Sequence, residues 1–217
     1  MSWSEVFKIN KNMKRALNEQ IRDIKCLPMR VFTANGTYTP EKTGLYKVIC
    51  VGAGATGTVR SNVSPFYVCG GGGGGVAIKT LRLLSSQSYS ITVSTTASFS
   101  NVLSATAGST GGYNSTIGTH NAAGGTASGG DYNFSGETVP YKEGKDNIVN
   151  GGSVGVNITE LSRNYVFTGN SGVRLIQGDC LLKYGGGGAA AYDINNLVST
   201  APGFPACVII IPIEMED

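Results

Sequence analysis

The sequence predicts a mainly β fold, built from short strands punctuated by glycine and preceded by one short helix. Three observations predict it. Charged residues make up 14% of the 217-residue chain, and glycine, at 32 residues, has about twice its ordinary share. Ser, Thr, Asn, Val and Tyr fill the place of the helix-forming charged residues, a mix that favours short strands and polar loops. The hydrophobic period also changes near residue 28, which divides the chain into an N-terminal segment, 1–28, and a glycine-rich body, 29–217. The apolar share of 41% separates this composition from that of a disordered chain.

In the first segment Val6, Ile9, Met13, Leu17, Ile21 and Ile24 are three or four residues apart, with charged and amide side chains between them. That spacing is a helical period with one narrow apolar stripe. Ser4 is placed to cap the helix and Leu27-Pro28 to end it. A lone helix of about 20 residues is marginal in water, so the stripe needs a partner. Either it packs on the body or copies from several chains form a short coiled coil. Its narrowness favours the coiled coil and makes these six residues the expected oligomerisation contacts.

In the body, Val31-Phe32-Thr33 reads as a strand leading into a turn at Asn35-Gly36, with Tyr38 beyond it. Leu45–Val51 is a continuous apolar run, expected to be a strand buried on both faces, and 76–84 is a second strand. Tyr89, Ile91 and Val93 alternate with Ser90, Thr92 and Ser94, the clearest half-buried strand. Val173–Ile176, Leu181-Leu182 and 207–213 complete the set, and no repeat of fixed period links them.

Between the strands lie glycine segments at 52–57, 70–75, 124–130, 151–152 and 185–188, the second of them six consecutive glycines. Flexible tethers are one explanation. The other is packing as polyglycine-II-like helices, three residues per turn without internal hydrogen bonds, which lie side by side only where each side chain is a hydrogen. Ordering glycine is entropically costly, so several such runs must pack together. Strands on both sides of each run favour packing.

Gly52, Gly54 and Gly57 match the G-x-G-x-x-G of a dinucleotide site directly after an apolar strand. The match fails two further requirements. Residues 58–69 carry β-branched residues and Pro65 instead of a helix, and no acid stands between Glu41 and Asp131 to hold a ribose hydroxyl. His120 is the single histidine, so a catalytic triad or a zinc site has no second histidine to draw on. The acids Asp131, Glu137, Glu143, Asp146, Glu160, Asp179 and Asp193 show no spacing that suggests a glycosidase pair. No catalytic residue, cofactor or metal is therefore expected.

A net charge of +3, with the N-terminal basic residues interrupted by Glu5, Glu19 and Asp23, gives no nucleic-acid footprint. The apolar run at 206–211 is a strand's length and too short to span a bilayer as a helix. Met1–Asn10 lacks the apolar core of a signal peptide, so synthesis in a cytosol is expected. Cys50 and Cys207 sit in apolar runs where a free thiol behaves as a small buried hydrophobe.

The order of these elements resembles the glycine-rich domain of phage and prophage tail-fibre proteins. The resemblance runs through Phe32-Thr-Ala-Asn-Gly36-Thr-Tyr38-Thr-Pro40, Tyr46-Lys-Val-Ile-Cys-Val-Gly52-Ala-Gly54, the six glycines before Val76-Ala-Ile-Lys-Thr, and Ser88-Tyr89-Ser-Ile-Thr-Val93. It continues through Asn114-Ser-Thr-Ile-Gly118, Ala123-Gly-Gly125, and Gly203-Phe-Pro-Ala-Cys-Val-Ile-Ile-Ile-Pro212. It implies a β-sandwich-like body with polyglycine-II-like segments and variable loops at a tip. It also implies a non-enzymatic, receptor-binding virion component, a homo-oligomer (a trimer is favoured) in contact with other tail proteins and with a bacterial surface glycan or protein. A purely structural fibre component and a polysaccharide-degrading tail enzyme are the alternatives.

Recognition without catalysis belongs on exposed, adaptable loops carried by a rigid frame. The loops expected outside the glycine packing are 113–121 and 131–141, which supply Tyr113, Asn114, His120, Asn121, Asp131, Tyr132, Asn133, Phe134 and Tyr141 as candidate receptor-binding residues. Tyr mixed with Asn, Ser and Gly gives large contact area at low entropic cost.

Overall fold

A computed structural model describes residues 27–61, 65–114, 118–144, 147–154, 162–163, 166–168, 174–176, 180–181, 184–192 and 198–216. The helix expected over 1–28, with Val6, Ile9, Met13, Leu17, Ile21 and Ile24, lies outside them but for its last two positions. The described body is mainly β, in several antiparallel sheets.

Two five-stranded sheets face one another. The first runs in the order Arg30–Phe32, Cys207–Met215, Gly44–Val51, Val76–Leu83, Tyr132–Phe134, and the second Ala127–Ser128, Leu103–Ala105, Ala97–Phe99, Tyr89–Val93, Gly36–Tyr38. The alternation expected at Tyr89–Val93 is present: Ile91 and Val93 are buried while Ser90 and Thr92 are exposed. The inward residues of both sheets, among them Tyr46, Val48, Val208, Ile210, Ile91, Phe99 and Leu103, form the main core. Tyr89 stacks on Phe99 with centroids 5.5 Å apart, and Tyr46 donates its hydroxyl to the Lys42 carbonyl at 2.7 Å. Burial, and then the neighbouring Tyr46, push the Tyr38 hydroxyl up to about 12.

Asn35-Gly36 is not the turn of a hairpin. Arg30–Phe32 pairs with Cys207–Met215 in one sheet and Gly36–Tyr38 pairs with Tyr89–Val93 in the other, so the chain crosses between sheets here. The Asn35 side chain fixes the crossing by accepting the Val93 N–H at 2.8 Å.

The strand expected to be buried on both faces is so along only part of its length. In Gly44–Val51, Leu45 and Lys47 are exposed and Val48–Val51 are fully buried; Cys207–Met215 mirrors this, with buried residues first and exposed ones later. The reason is a second core on the outer face of the first sheet, where Ile49, Val51, Val76, Cys207 and Ile209 meet Val154, with Phe134 and Tyr184 packed against it. Cys50 belongs to the main core and Cys207 to this second one, so the two free thiols face opposite sides of the sheet. Desolvation pushes Cys50 up to about 12 and raises Cys207 as well.

Of the five smaller sheets among the described residues, three lie beyond this end of the sandwich: Tyr141–Glu143 with Tyr67–Cys69 and Thr58–Arg60; Gly112–Asn114 with Gly118–His120; and Asn147–Val149 with Ala190–Tyr192 and Val198–Thr200. The other two pair Ser162–Arg163 with Cys180–Leu181 and Val166–Thr168 with Arg174–Ile176. The glycine segments join the two ends. Each of 52–57, 70–75, 106–111, 121–126, 135–140 and 201–206 connects a strand of the large sheets to a strand of the small ones.

These segments are packed against one another. In Gly70–Gly75 the N–H groups of Gly71 and Gly74 donate to Gly188 and Gly185, those of Gly72 and Gly75 to Ser109 and Thr106, and that of Gly73 to Glu137. The carbonyls of Gly72 and Gly75 accept from Ala55 and Gly52, that of Gly73 from Gly125, and that of Gly71 from Gly152. Partners change residue by residue and return after three. A Cβ built on Gly71 or Gly74 would overlap the carbonyl of Ala55 or Gly52, one on Gly72 or Gly75 that of Ala123 or Thr126, and one on Gly70 or Gly73 that of Asn150 or Ser153. Gly52, Gly54 and Gly57 are explained in the same way: backbone of Thr106, Gly186 and Ala189 occupies the space a side chain would need. Their segment runs into the strand Thr58–Arg60, where a dinucleotide site needs a helix.

Candidate functional site

The nine expected recognition residues fall into two groups at opposite ends of the glycine layer. Asp131–Phe134 is not a loop. Tyr132, Asn133 and Phe134 pair with Ile78, Ala77 and Val76 as the edge strand of the first large sheet. Asp131 accepts from the Thr80 N–H at 3.0 Å and pairs with Lys79 Nζ at 3.2 Å, contacts that hold its carboxyl below its ordinary 3.8, the Thr80 hydrogen bond contributing most. Asn133 closes a local ring with Gly130, accepting its N–H and donating to its carbonyl. Phe134 packs against the outer-face core. Asp131, Tyr132 and Asn133 are exposed, Tyr132 to 65%, and Phe134 is half-buried. The stretch that follows also departs from a loop: Gly136 donates to Gly125 and Glu137 donates to Ser153 while accepting from Gly73, so 135–140 is part of the glycine layer. The backbone of these residues is therefore held by the sheet edge and the layer instead of forming a free loop.

The other group stands on the small sheets. Tyr113 and Asn114 lie on the strand Gly112–Asn114, paired with Thr119 and Gly118. His120 ends the partner strand opposite Gly112, where φ is +112°, a backbone conformation that suits glycine. Asn121 accepts the Tyr141 N–H at 3.3 Å, and the Tyr141 ring meets Tyr67 edge-on, centroids 5.9 Å apart. His120, Asn121 and Tyr141 are thus brought to one end.

That end holds a cleft of ≈ 280 Å³ lined by Thr58, Val59, Arg60, Tyr67, Thr110, Gly111, Gly112 and His120. Thr58 Oγ1 donates to the Gly111 carbonyl at 2.6 Å and ties the strand Thr58–Arg60 to the start of Gly112–Asn114. Arg60 stands opposite Tyr67 in the register, and Tyr67 opposite Glu143, so these three share a row across the sheet. Beneath it Val68, Cys69, Ala122, Val139, Val149 and Ala190 form a local core. The buried Cys69 thiol donates to the Val139 carbonyl at 3.6 Å, and burial raises its pKa.

Thr58, Arg60, Tyr67 and Thr110 were missed by sequence reasoning, which used 58–69 only to exclude a helix. The available signal was Thr58-Val59-Arg60 and Tyr67-Val68-Cys69 on either side of Pro65, two β-prone triplets separated by a turn. Among the described residues no group of three or more His, Cys, Asp or Glu side chains could hold a metal ion.

A search of curated proteins finds no match to the chain. A family model described as a glycine-rich domain matches residues 33–204, from the crossing between the large sheets to the last glycine segment, and the chain belongs to that family.

Proposed function

We propose that the protein is the non-enzymatic receptor-binding tip of a phage or phage-like tail fibre, attaching the particle to a glycan or protein on a bacterial surface. One observation carries this reading: a glycine-rich layer of cross-bonded backbone joins a β-sandwich to small sheets that present a polar, aromatic cleft. The three-residue recurrence of partners along Gly70–Gly75 supports polyglycine-II-like helices as the material of that layer. Such a frame is stiff because each segment is cross-bonded to several others. Recognition surfaces are carried on rigid scaffolds of this kind. The small sheets bear the Tyr, Asn, Thr and Gly composition of adaptable contact surfaces.

The reading includes assembly into a homotrimer through Val6, Ile9, Met13, Leu17, Ile21 and Ile24 and residence in the virion tail. The deciding experiment is adsorption blocking. Purified protein is expected to bind a subset of bacterial strains and to protect those strains from the parent particle. Absence of binding across strains that adsorb the particle would leave a structural role in the fibre; release of reducing ends from surface polysaccharide would indicate an enzyme.

A further inference from the structure

We propose that the outer face of the first large sheet, on the side of its strand Arg30–Phe32, packs against a second copy of this chain and continues the interface that the N-terminal stripe begins. The inference rests on the homotrimer of the proposed reading and places a second contact in it.

The register defines the face. Val31 stands opposite Ile209, Ile209 opposite Ile49 and Ile49 opposite Ile78, so one apolar row crosses four strands on the side away from the main core. Ile209 and Ile49 are buried there in the second core with Val154. Further along the strands that cover runs out: Ile211 is half-buried, and Val31, Leu45 and Ile213 are 39%, 36% and 53% exposed. The bulge between Pro212 and Glu214 sets Ile213 and Glu214 together opposite Leu45 and turns Met215 back to the main core. Across the sheet the face becomes polar, with Lys47 and Thr80 opposite Ile211 and Arg82 opposite Leu45. The apolar part is therefore confined to the side where the chain enters. The outward face of the second large sheet differs: Thr92, Ser98, Ser104 and Ser128 stand in one row of hydroxyls, as suits a face left to water.

The length of chain before this face selects the occupant. Val31 follows Leu27, where the expected helix ends, by four residues, at most about 14 Å of extended chain. Copies joined through Val6, Ile9, Met13, Leu17, Ile21 and Ile24 thus hold their Val31 sides within that distance of the shared helices. Area decides how the two contacts divide the task. Three strand spacings by the length from Ile209 to Ile213 is about 200 Å², against roughly 800 Å² per partner in a stable interface. The face is too small to hold two copies alone. Beside a stripe that already joins them it acts at high effective concentration, where a small apolar contact suffices. Charge does not oppose the meeting of like faces, since Lys47 and Glu214 have opposite signs and Arg82 is paired with Glu216 at 2.6 Å.

Two measurements on the intact protein test this. In sedimentation over a dilution series, Ile213→Lys is expected to raise the concentration of half-assembly at least about tenfold. Val102→Lys, at a comparably exposed apolar residue (44%) away from this face, is expected to leave it unchanged. Both side chains are exposed in the single copy, so both variants should keep the wild-type melting profile. In the second measurement a photo-cross-linking benzoylphenylalanine replaces Ile213 in an otherwise wild-type chain. The expected product is a two-chain adduct to a peptide from 29–51 or 207–216; the same group in place of Thr92 gives none. Equal half-assembly concentrations for the two lysine variants, or no two-chain adduct from position 213, overturn the contact. If Leu17→Asp still dissociates the assembly in that case, the stripe stands without the face. An adduct from position 213 to residues 1–26 also overturns it, because the stripe and not a second sheet would then cover the face. A wild type that stays monomeric at every concentration overturns this contact and the trimer together, while adsorption blocking still decides the receptor role.

Discussion

A β-carbon on Gly74 would overlap the Gly52 carbonyl, whereas one on Gly36 would meet nothing closer than Phe32 Cδ1 at 4.0 Å. Two glycines that look alike in the sequence therefore have opposite tolerances. Overpacking a side-chain core costs about 1–3 kcal/mol because rotamers adjust. Gly74 faces backbone held by hydrogen bonds on both sides, so Gly74→Ala is expected to cost about 3 kcal/mol or more, lowering Tm by roughly 6–12 °C in a chain of this size. Gly36→Ala is expected to change stability by less than about 1 kcal/mol, with stabilisation favoured through the unfolded chain. Thermal melts of both variants check this, and comparable losses would refute the packing argument. Asp131 supplies a second residue-scale prediction. Its folded pKa lies below the ordinary 3.8, so its contribution is present above that value and is lost as pH falls through the lower, folded one. Asp131→Asn is expected to melt below wild type at neutral pH, with the gap closing in strong acid; parallel Tm–pH curves would show that the carboxylate anchors nothing. The sequence marked Asp131–Phe134 as a loop because Gly, Asp, Tyr and Asn compose turns and binding loops alike. A three-residue edge strand has no period to reveal it.

Long strands were legible. Gly44–Val51, Val76–Leu83, Tyr89–Val93 and Cys207–Met215 each extend over enough residues for alternation or a continuous apolar run to register. Of the short strands, those expected at Val173–Ile176 and Leu181-Leu182 overlap Arg174–Ile176 and Cys180–Leu181; the two- and three-residue strands around the cleft were not legible, since their pairing is set by the glycine segments that lead into them and not by a local pattern. Packing of the glycine segments was anticipated from their flanking strands; which segments meet was not, because glycine carries no side chain to encode a register. Register instead comes from what stands at the ends: Val51, Cys69 and Val76 enter cores and fix where each run begins and stops. The element-scale prediction separates packing from tethering. Amides of Gly71–Gly75, all bonded to other segments, are expected to resist hydrogen exchange as strongly as those of Gly44–Val51. Exchange of Gly71–Gly75 at the rate of a free linker would remove the frame on which the binding proposal depends.

At the scale of the whole molecule, the layer couples two ends that have their own cores. The sandwich core gathers Tyr46, Phe99, Leu103 and Ile210, and the core under the cleft gathers Val68, Cys69, Ala122, Val139 and Val149. Two separate cores joined by flexible tethers would unfold in two steps. Here the tethers are the layer: releasing the cleft end would strip partners from 52–57, 70–75, 106–111, 121–126 and 135–140 together, and those segments also bond to one another, as Gly52 does to Gly75, Thr106 to Thr126 and Gly136 to Gly125. Each such bond contributes about 0.5–1.5 kcal/mol net, and buried backbone left without a partner costs more than that. Neither end can therefore open without disrupting the other's connections, and the described body is expected to unfold in one transition, with calorimetric and van't Hoff enthalpies equal. Gly73→Ala, which would drive a side chain into Ser153 O at the centre of the layer, is expected to break that coupling, splitting the transition or lowering it as a whole. Two well-separated transitions in the wild-type protein would mean that the layer transmits no rigidity. The cleft would then be held to the sandwich by connection alone.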